Sequence, residues 1–259
     1  MFALSRETWK CRALVDALVR RHVATRYRGS LFGFLWSFLN PLCLMAVYTL
    51  VFSYYMRFNG GEHYHLMVFA GLLPWIWTSS ALSEGTASLV SSGHLITKSL
   101  FPAHILPFVS VLSSMAHFLF ALPMLALFML LAGVPVSASW LLLPVVILLH
   151  ACILHGMVLA LSALNVFFRD VQHLVSNLLT FVFFLCPIVY PASAVPERYR
   201  VLLEANPFAV LTVVYQQVLV EGRLPAPGLW AVLSVTAVLS LAVGTAVHAR
   251  LRERFAEAL

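Results

Sequence analysis

RYRGSLFGFLWSFLNPLCLMAVYTLVFSYYMRF, residues 26–58, opens on two arginines and a glycine, continues through mostly apolar residues, and closes on aromatics and one arginine. An apolar run of about 20 residues is what a helix needs to cross a bilayer. Arg26 and Arg28 then sit at one interface, while Gly29, Ser30 and Gly33 permit close backbone packing as the span begins. Pro41 inside the run deletes a backbone hydrogen bond and crowds the preceding turn, so the span is expected to bend at Asn40-Pro41.

The rest of the chain repeats this pattern. It has 259 residues, of which 61% are hydrophobic and 10% charged, with a mean hydropathy of +0.92. A water-soluble surface cannot be built from that composition, so the chain reads as an integral membrane protein. Apolar windows fall at 31–56, 65–91, 104–132, 140–166, 171–190 and 228–249, which predicts six spanning helices. The first follows a charged segment of 30 residues and lacks a small-residue cleavage site, so it is read as a retained span.

Basic residues set the orientation. The N-terminal segment, the second and fourth loops and the C-terminal end hold 12 of the 16 Lys and Arg, which places both termini in the cytoplasm. The net charge of +6 therefore reports topology and gives no support to nucleic-acid binding. Four cysteines, at 11, 43, 152 and 186, form no C-x-x-C, and the ten histidines form no H-E-x-x-H. Neither a disulfide framework nor a metal site is expected.

Residues 5–24 place Cys11, Leu14, Val15, Leu18 and His22 on one helical stripe, with Arg12, Asp16 and Arg20 opposite. An amphipathic helix at the cytoplasmic surface is predicted, either as a lipid anchor or as a docking face for a partner. Glu84 is the acidic residue well inside a predicted span; it either faces a cavity or partner, or lies near enough to the interface to be hydrated. SSGHLITKSLFPAHILP, 91–107, reads as a short helix over 95–101 closed by Pro102, a shape suited to receiving a push from outside the bilayer. Arg169 and Asp170 mark a tight cytoplasmic turn. Over residues 187–228, FAVLTVVYQQVLV is apolar but bounded by proline-rich polar stretches, so two short re-entrant or interfacial helices are predicted on the outer face.

The chain has no G-x-x-x-x-G-K-[ST] motif, and no Gly-Lys pair at all, so it does not cradle ATP phosphates itself. Nor do the spans carry the several carboxylates or histidines of a proton relay. What remains is a basic cytoplasmic face suited to meeting a separate ATPase.

RYRGSLFGFLWSFLNPL at 26–42, NVFFRDVQHLVSNLLTFVFFLCPIVYPASAVPERYR at 165–200 and LLEANPFAVL at 202–211 resemble the permease subunits of type-2 ABC exporters. The similarity is strongest to the branch that exports bacterial polysaccharides: O-antigen, capsule and teichoic acid. The resemblance implies an all-α permease domain over 1–259. Its parts are an interface segment (1–30), spans one to five (31–190), an outer re-entrant segment (191–227), span six (228–249) and a cytoplasmic tail (250–259). It further implies a homodimer in the bacterial cytoplasmic membrane, two copies of an ATP-binding subunit that hold the ATP and Mg, no cofactor in this chain, and a lipid-linked glycan as cargo. Contacts with the ATPase are implied at Arg12, Asp16 and Arg20 and at Thr97, Lys98, Ser99, Leu100, Phe101 and Pro102. One departure stands out: relatives often show Tyr-Arg where this chain has Tyr215-Gln216.

A cytoplasmic mouth for a pyrophosphate headgroup is expected at Arg26, Tyr27 and Arg28, with Arg20 and Arg21 as the alternative cations. Trp36, Asn40, Tyr48, Phe52 and Tyr55 on the first span, Glu84 on the second, and Phe184 and Tyr190 on the fifth are candidates to line the path or gate it. The same aromatics suit lipid-facing and interfacial positions, so the rings alone do not separate the two readings. A type-2 exporter of a drug or other small hydrophobic molecule shares the same fold and partner. A membrane transferase needs a cluster of His, Asp or Glu at one face, which the sequence lacks.

Overall fold

The computed structural model describes residues 11–26, 29, 32–57, 63–98 and 101–259, and every regular element among them is helical. In order these are α1 (Arg12–Arg26), α2 (Trp36–Thr49), α3 (Tyr64–Ser91), α4 (Gly93–Lys98), α5 (Ile105–Leu131) and α6 (Leu143–Phe167). They continue with α7 (Asp170–Leu185), α8 (Glu197–Ala205), α9 (Pro207–Gln216), α10 (Pro227–Leu251) and α11 (Phe255–Ala258).

Among the described residues, five helical stretches are long and apolar enough to cross a membrane: Trp36–Tyr55, Tyr64–Ser91, Ile105–Leu131, Ala138–Phe167 and Pro227–Arg254. The first extends α2 by a wide turn in which Met56 N–H donates to the Val51 carbonyl at 2.9 Å. The span expected over 171–190 is a shorter object. α7 has 16 residues, about 24 Å of helix, against a hydrocarbon core of about 30 Å. It stops because Cys186 precedes Pro187 and adopts the extended backbone that a following proline favours.

α3 is the hub, packing against α2, α5, α6, α7 and α9. Within its apolar window 72% of residues are buried, against 11% for the first span and 17% for the last. An all-round hydrophobic sequence such as LMVFAGLLPWIW belongs at that centre. The peripheral helices keep apolar surface for lipid or for another chain.

Two devices fix the scaffold. The first is the pairing of α6 with α10, where a Cβ on Gly156 would collide with the backbone of Ser240 and one on Gly244 with the backbone of Gly156. Small residues at such a crossing let helices in lipid gain dispersion contacts that larger ones forbid. Gly244→Ala is accordingly expected to destabilise the fold by about 1–3 kcal/mol through overpacking, read as a lower thermal midpoint in detergent. A Gly228→Ala control, where nothing lies within 4 Å of the added carbon, leaves that midpoint unchanged.

The second device is a buried polar chain joining α3, α6 and α9. Thr78 Oγ1 lies 2.9 Å from His150 Nε2, and His150 Nδ1 lies 3.3 Å from the Tyr215 hydroxyl. One proton arrangement satisfies every member. Tyr215 donates to Nδ1, Nε2–H donates to Thr78, and Thr78 donates to the Pro74 carbonyl at 2.9 Å. The chain ends on backbone, so it ties helices together and conducts no proton.

Two short helices, α8 and α9, fall within residues 187–228. α8 buries no residue, whereas α9 buries most of its length. Asn206 caps α9 by accepting from Phe208 N–H at 3.1 Å, with Pro207 in the first turn. Beyond α9, Ser139 donates to the Val218 carbonyl at 2.7 Å and Trp140 to the Leu219 carbonyl at 3.0 Å. Both satisfy carbonyls near the end of the helical run, where intrahelical donors run out. The departure at residue 216 has a structural role: the Gln216 amide donates to the Met67 and Pro187 carbonyls, at 3.2 and 2.9 Å.

Candidate functional site

A groove runs along the face shared by α2, α3 and α7, with a volume of about 540 Å³. Three elements supply its lining at helical spacing. α3 gives Trp75, Ile76, Ser79, Ser80 and Ser83; α7 gives Ser176, Leu179, Thr180, Phe183 and Phe184; α2 gives Asn40, Leu44 and Tyr48. Rings gather at one end, where Tyr48 stacks on Phe183 at 5.5 Å and Trp75 meets Phe183 at 5.7 Å.

The hydroxyls are set in a way that suits many weak contacts. Ser79 donates to the Ile76 carbonyl at 3.2 Å, Ser176 to Gln172 at 3.0 Å and Thr180 to Ser176 at 3.3 Å. Each proton is thereby parked on its own helix, while oxygen lone pairs remain to accept from a polyhydroxylated ligand. Aromatic faces beside them suit the C–H faces of sugar rings.

A second cavity, about 220 Å³, lies between α1, α3 and α5. Its walls include Arg21, His22, Thr25, Glu84, Ser88, Ser91 and His94. α1 reaches it by packing on α5 through Val15, Leu18 and Val19 against Ile105 and Val109. At that distance His22 Nε2 meets Glu84 Oε2 at 3.2 Å, with both side chains about one-third exposed. The contact joins residues 62 apart in sequence and ties α1 to α3.

Of the residues expected to line a path, Asn40, Tyr48 and Phe184 meet in the groove. Trp36 and Asn40 line a smaller recess of about 50 Å³ with Ser37, Trp77 and His117. Phe52 and Tyr190 pack around the Trp75–Phe183 cluster, and Tyr190 donates to the Phe184 carbonyl at 3.0 Å. Tyr55 is exposed, and Glu84 belongs to the cavity between α1, α3 and α5. The serines, Thr180 and Trp75 were not foreseen, although Ser176, Leu179, Thr180, Phe183 and Phe184 repeat at the helical interval that marks a shared face.

Arg12, Asp16 and Arg20 lie on the exposed face of α1, where Arg20 pairs with Asp16 at 2.9 Å. The short helix foreseen over 95–101 is α4, Gly93–Lys98. Phe101 and Pro102 are half-buried, and Phe101 packs between α4 and α1. Tyr27, Arg28, Ser99 and Leu100 lie outside the described residues, as do the side chains of Arg26, Thr97 and Lys98.

The family model described as "ABC-2 type transporter" matches residues 13–220. The O-antigen export system permease protein RfbA of Myxococcus xanthus is 39% identical over 262 residues, covering 100% of both chains. Two proteins of the same name from Klebsiella pneumoniae are 30% and 28% identical over 247 residues, each alignment covering 95% of both chains.

Proposed function

The chain belongs to the ABC-2 type transporter family, and from that premise we propose that it is the permease subunit of an ATP-driven exporter of lipid-linked polysaccharide. The family implies a membrane location and an ABC ATP-binding partner. In this reading two copies of the chain pair with two of the partner in the bacterial cytoplasmic membrane, with both termini on the cytoplasmic side. α7 and the turns that follow it through residue 190 serve as the fifth of six spans.

The observation that carries the reading is the groove, whose mixed rings and hydroxyls suit a sugar chain better than a small hydrophobic molecule. The names of the relatives favour the same cargo. The groove's hydroxyls give a polymer many shallow footholds and no deep one, which is what passage requires. ATP-driven closure of the partner pushes α1 and α4, and α2 and α7 part to admit the glycan. A second copy, set against the poorly buried first span, closes the open side of the groove.

Reconstitution with the partner and a lipid-linked glycan tests this: export is expected to follow ATP and to persist when ion gradients are collapsed. Export that survives without ATP but fails with the gradient overturns it.

The headgroup enters at Arg26, Tyr27 and Arg28, where two guanidinium groups match a pyrophosphate. Changing Arg26 and Arg28 together to Glu is expected to lower export by about tenfold, the equivalent of ~1.4 kcal/mol of attraction, at an unchanged membrane level. Full export by that variant rules this mouth out.

A further inference from the structure

α4 has six residues, too few to hold helical shape unaided. Its support comes from the far end of the chain. α10 ends at Leu251, the helix tightens to a 3-10 turn over Arg252–Arg254, and Phe255–Ala258 form a last helical turn. Phe255 is 1% exposed, a burial unexpected for a stretch containing two arginines and two glutamates.

The buried partners of Phe255 are Leu89 of α3, Leu106 of α5, and Ala163 and Val166 of α6. Against this cluster pack Leu95 and Ile96 of α4, Val247 and Leu251 of α10, and Leu259. Ring contacts with Phe167 at 6.3 Å and His248 at 5.3 Å fix the orientation of Phe255. Gly93 opens α4 directly over Leu259, so a Cβ placed there would lie 3.4 Å from the Leu259 Cβ. Phe101 belongs both to this cluster and to the one beneath α1.

We propose that residues 255–259 are the seat of α4, and that force arriving on α4 reaches the membrane helices through Phe255. This rests on the reading that α4 meets the ATP-binding partner. A six-residue helix that is pushed either slides or carries its support with it. Seated on Phe255, it delivers the push at once to the cytoplasmic ends of α3, α5, α6 and α10. Phe255 is thus a positioning residue for transport, and it touches neither ATP nor cargo. Residues Arg252, Glu253, Arg254 and Glu257 keep the outer surface of the seat in water.

Three measurements on the purified complex of this chain with its ATP-binding partner test the proposal. A photo-crosslinking residue at His94, which is exposed on α4, is expected to capture the partner. Phe255→Ala is expected to leave the partner bound and hydrolysing ATP, while glycan exported per ATP falls by about fivefold or more, the lower range of ordinary coupling between sites. The third measurement guards against simple misfolding. The 3.4 Å Cβ separation is close to the disulfide range of about 3.5–4.5 Å, so cysteines at Gly93 and Leu259 can be joined, with the exposed Cys43 changed to serine.

In the Phe255→Ala chain, oxidising that pair is expected to restore export per ATP, and reduction to remove it again. Normal coupling in Phe255→Ala overturns the seat, as does a disulfide that forms without rescue; in both cases capture at His94 leaves the reading of α4 standing. No capture at His94 overturns that reading and the seat with it.

Discussion

A tryptophan in place of Thr180 stops export and leaves the chain in the membrane. Thr180 lies on the groove face of α7 and is exposed there, so an indole finds room without disturbing the core. The residue it replaces contributes one hydroxyl whose proton is already bound within the helix. What changes is the cross-section of the path, and an added barrier of about 1.4 kcal/mol already slows passage tenfold. Surface glycan is expected to fall by at least that factor at equal protein level. Leu178→Trp, two residues away on the same helix but 58% exposed and absent from the groove lining, is expected to export normally. Equal export by both variants means the groove does not carry the glycan.

Glu84→Lys is expected to produce the second large loss. It sets a cation against His22, where the two side chains now meet at 3.2 Å. Because α1 rests on α5 through an apolar seam, this contact governs how the far end of α1 is registered against α3. Glu84→Gln keeps the shape and a hydrogen bond and is expected to retain most export. Exchanging the pair, His22→Glu with Glu84→Lys, is expected to recover more export than either single change, because residues in contact are not additive. Strict additivity of the two single losses shows that the contact has no part in transport.

The fold was legible where hydropathy decides it. The expected windows 65–91, 104–132 and 228–249 fall within two residues of α3, α5 and α10. The fifth window overran, because apolar composition continues through Cys186–Tyr190 while Pro187 ends the helix. Faces were harder to read than spans. Tyr55 and Tyr48 are the same residue type on one span, yet Tyr48 enters the groove and Tyr55 is 73% exposed; only the packing of α2 on α3 separates them.

Long-range pairs left no local trace. Glu84 was conspicuous as an intramembrane carboxylate, but nothing near it names His22 as its partner. His150 resembled the other histidines until three helices closed around it. The segment RERFAEAL carries four charges in eight residues, which hides the burial of its one aromatic. The spacing of Phe255, Ala258 and Leu259 at i, i+3 and i+4 was the available sign, and it is too short to register as a period.

The central claim is that this chain moves a lipid-linked glycan across the cytoplasmic membrane, and depletion of the protein in its own host tests it most directly. Polymer inside the cell is compared with polymer at the surface. The account predicts that lipid-linked glycan accumulates inside while the surface loses it, with restoration by the wild-type chain and none by Thr180→Trp. An unchanged surface after depletion, with no internal accumulation, contradicts it.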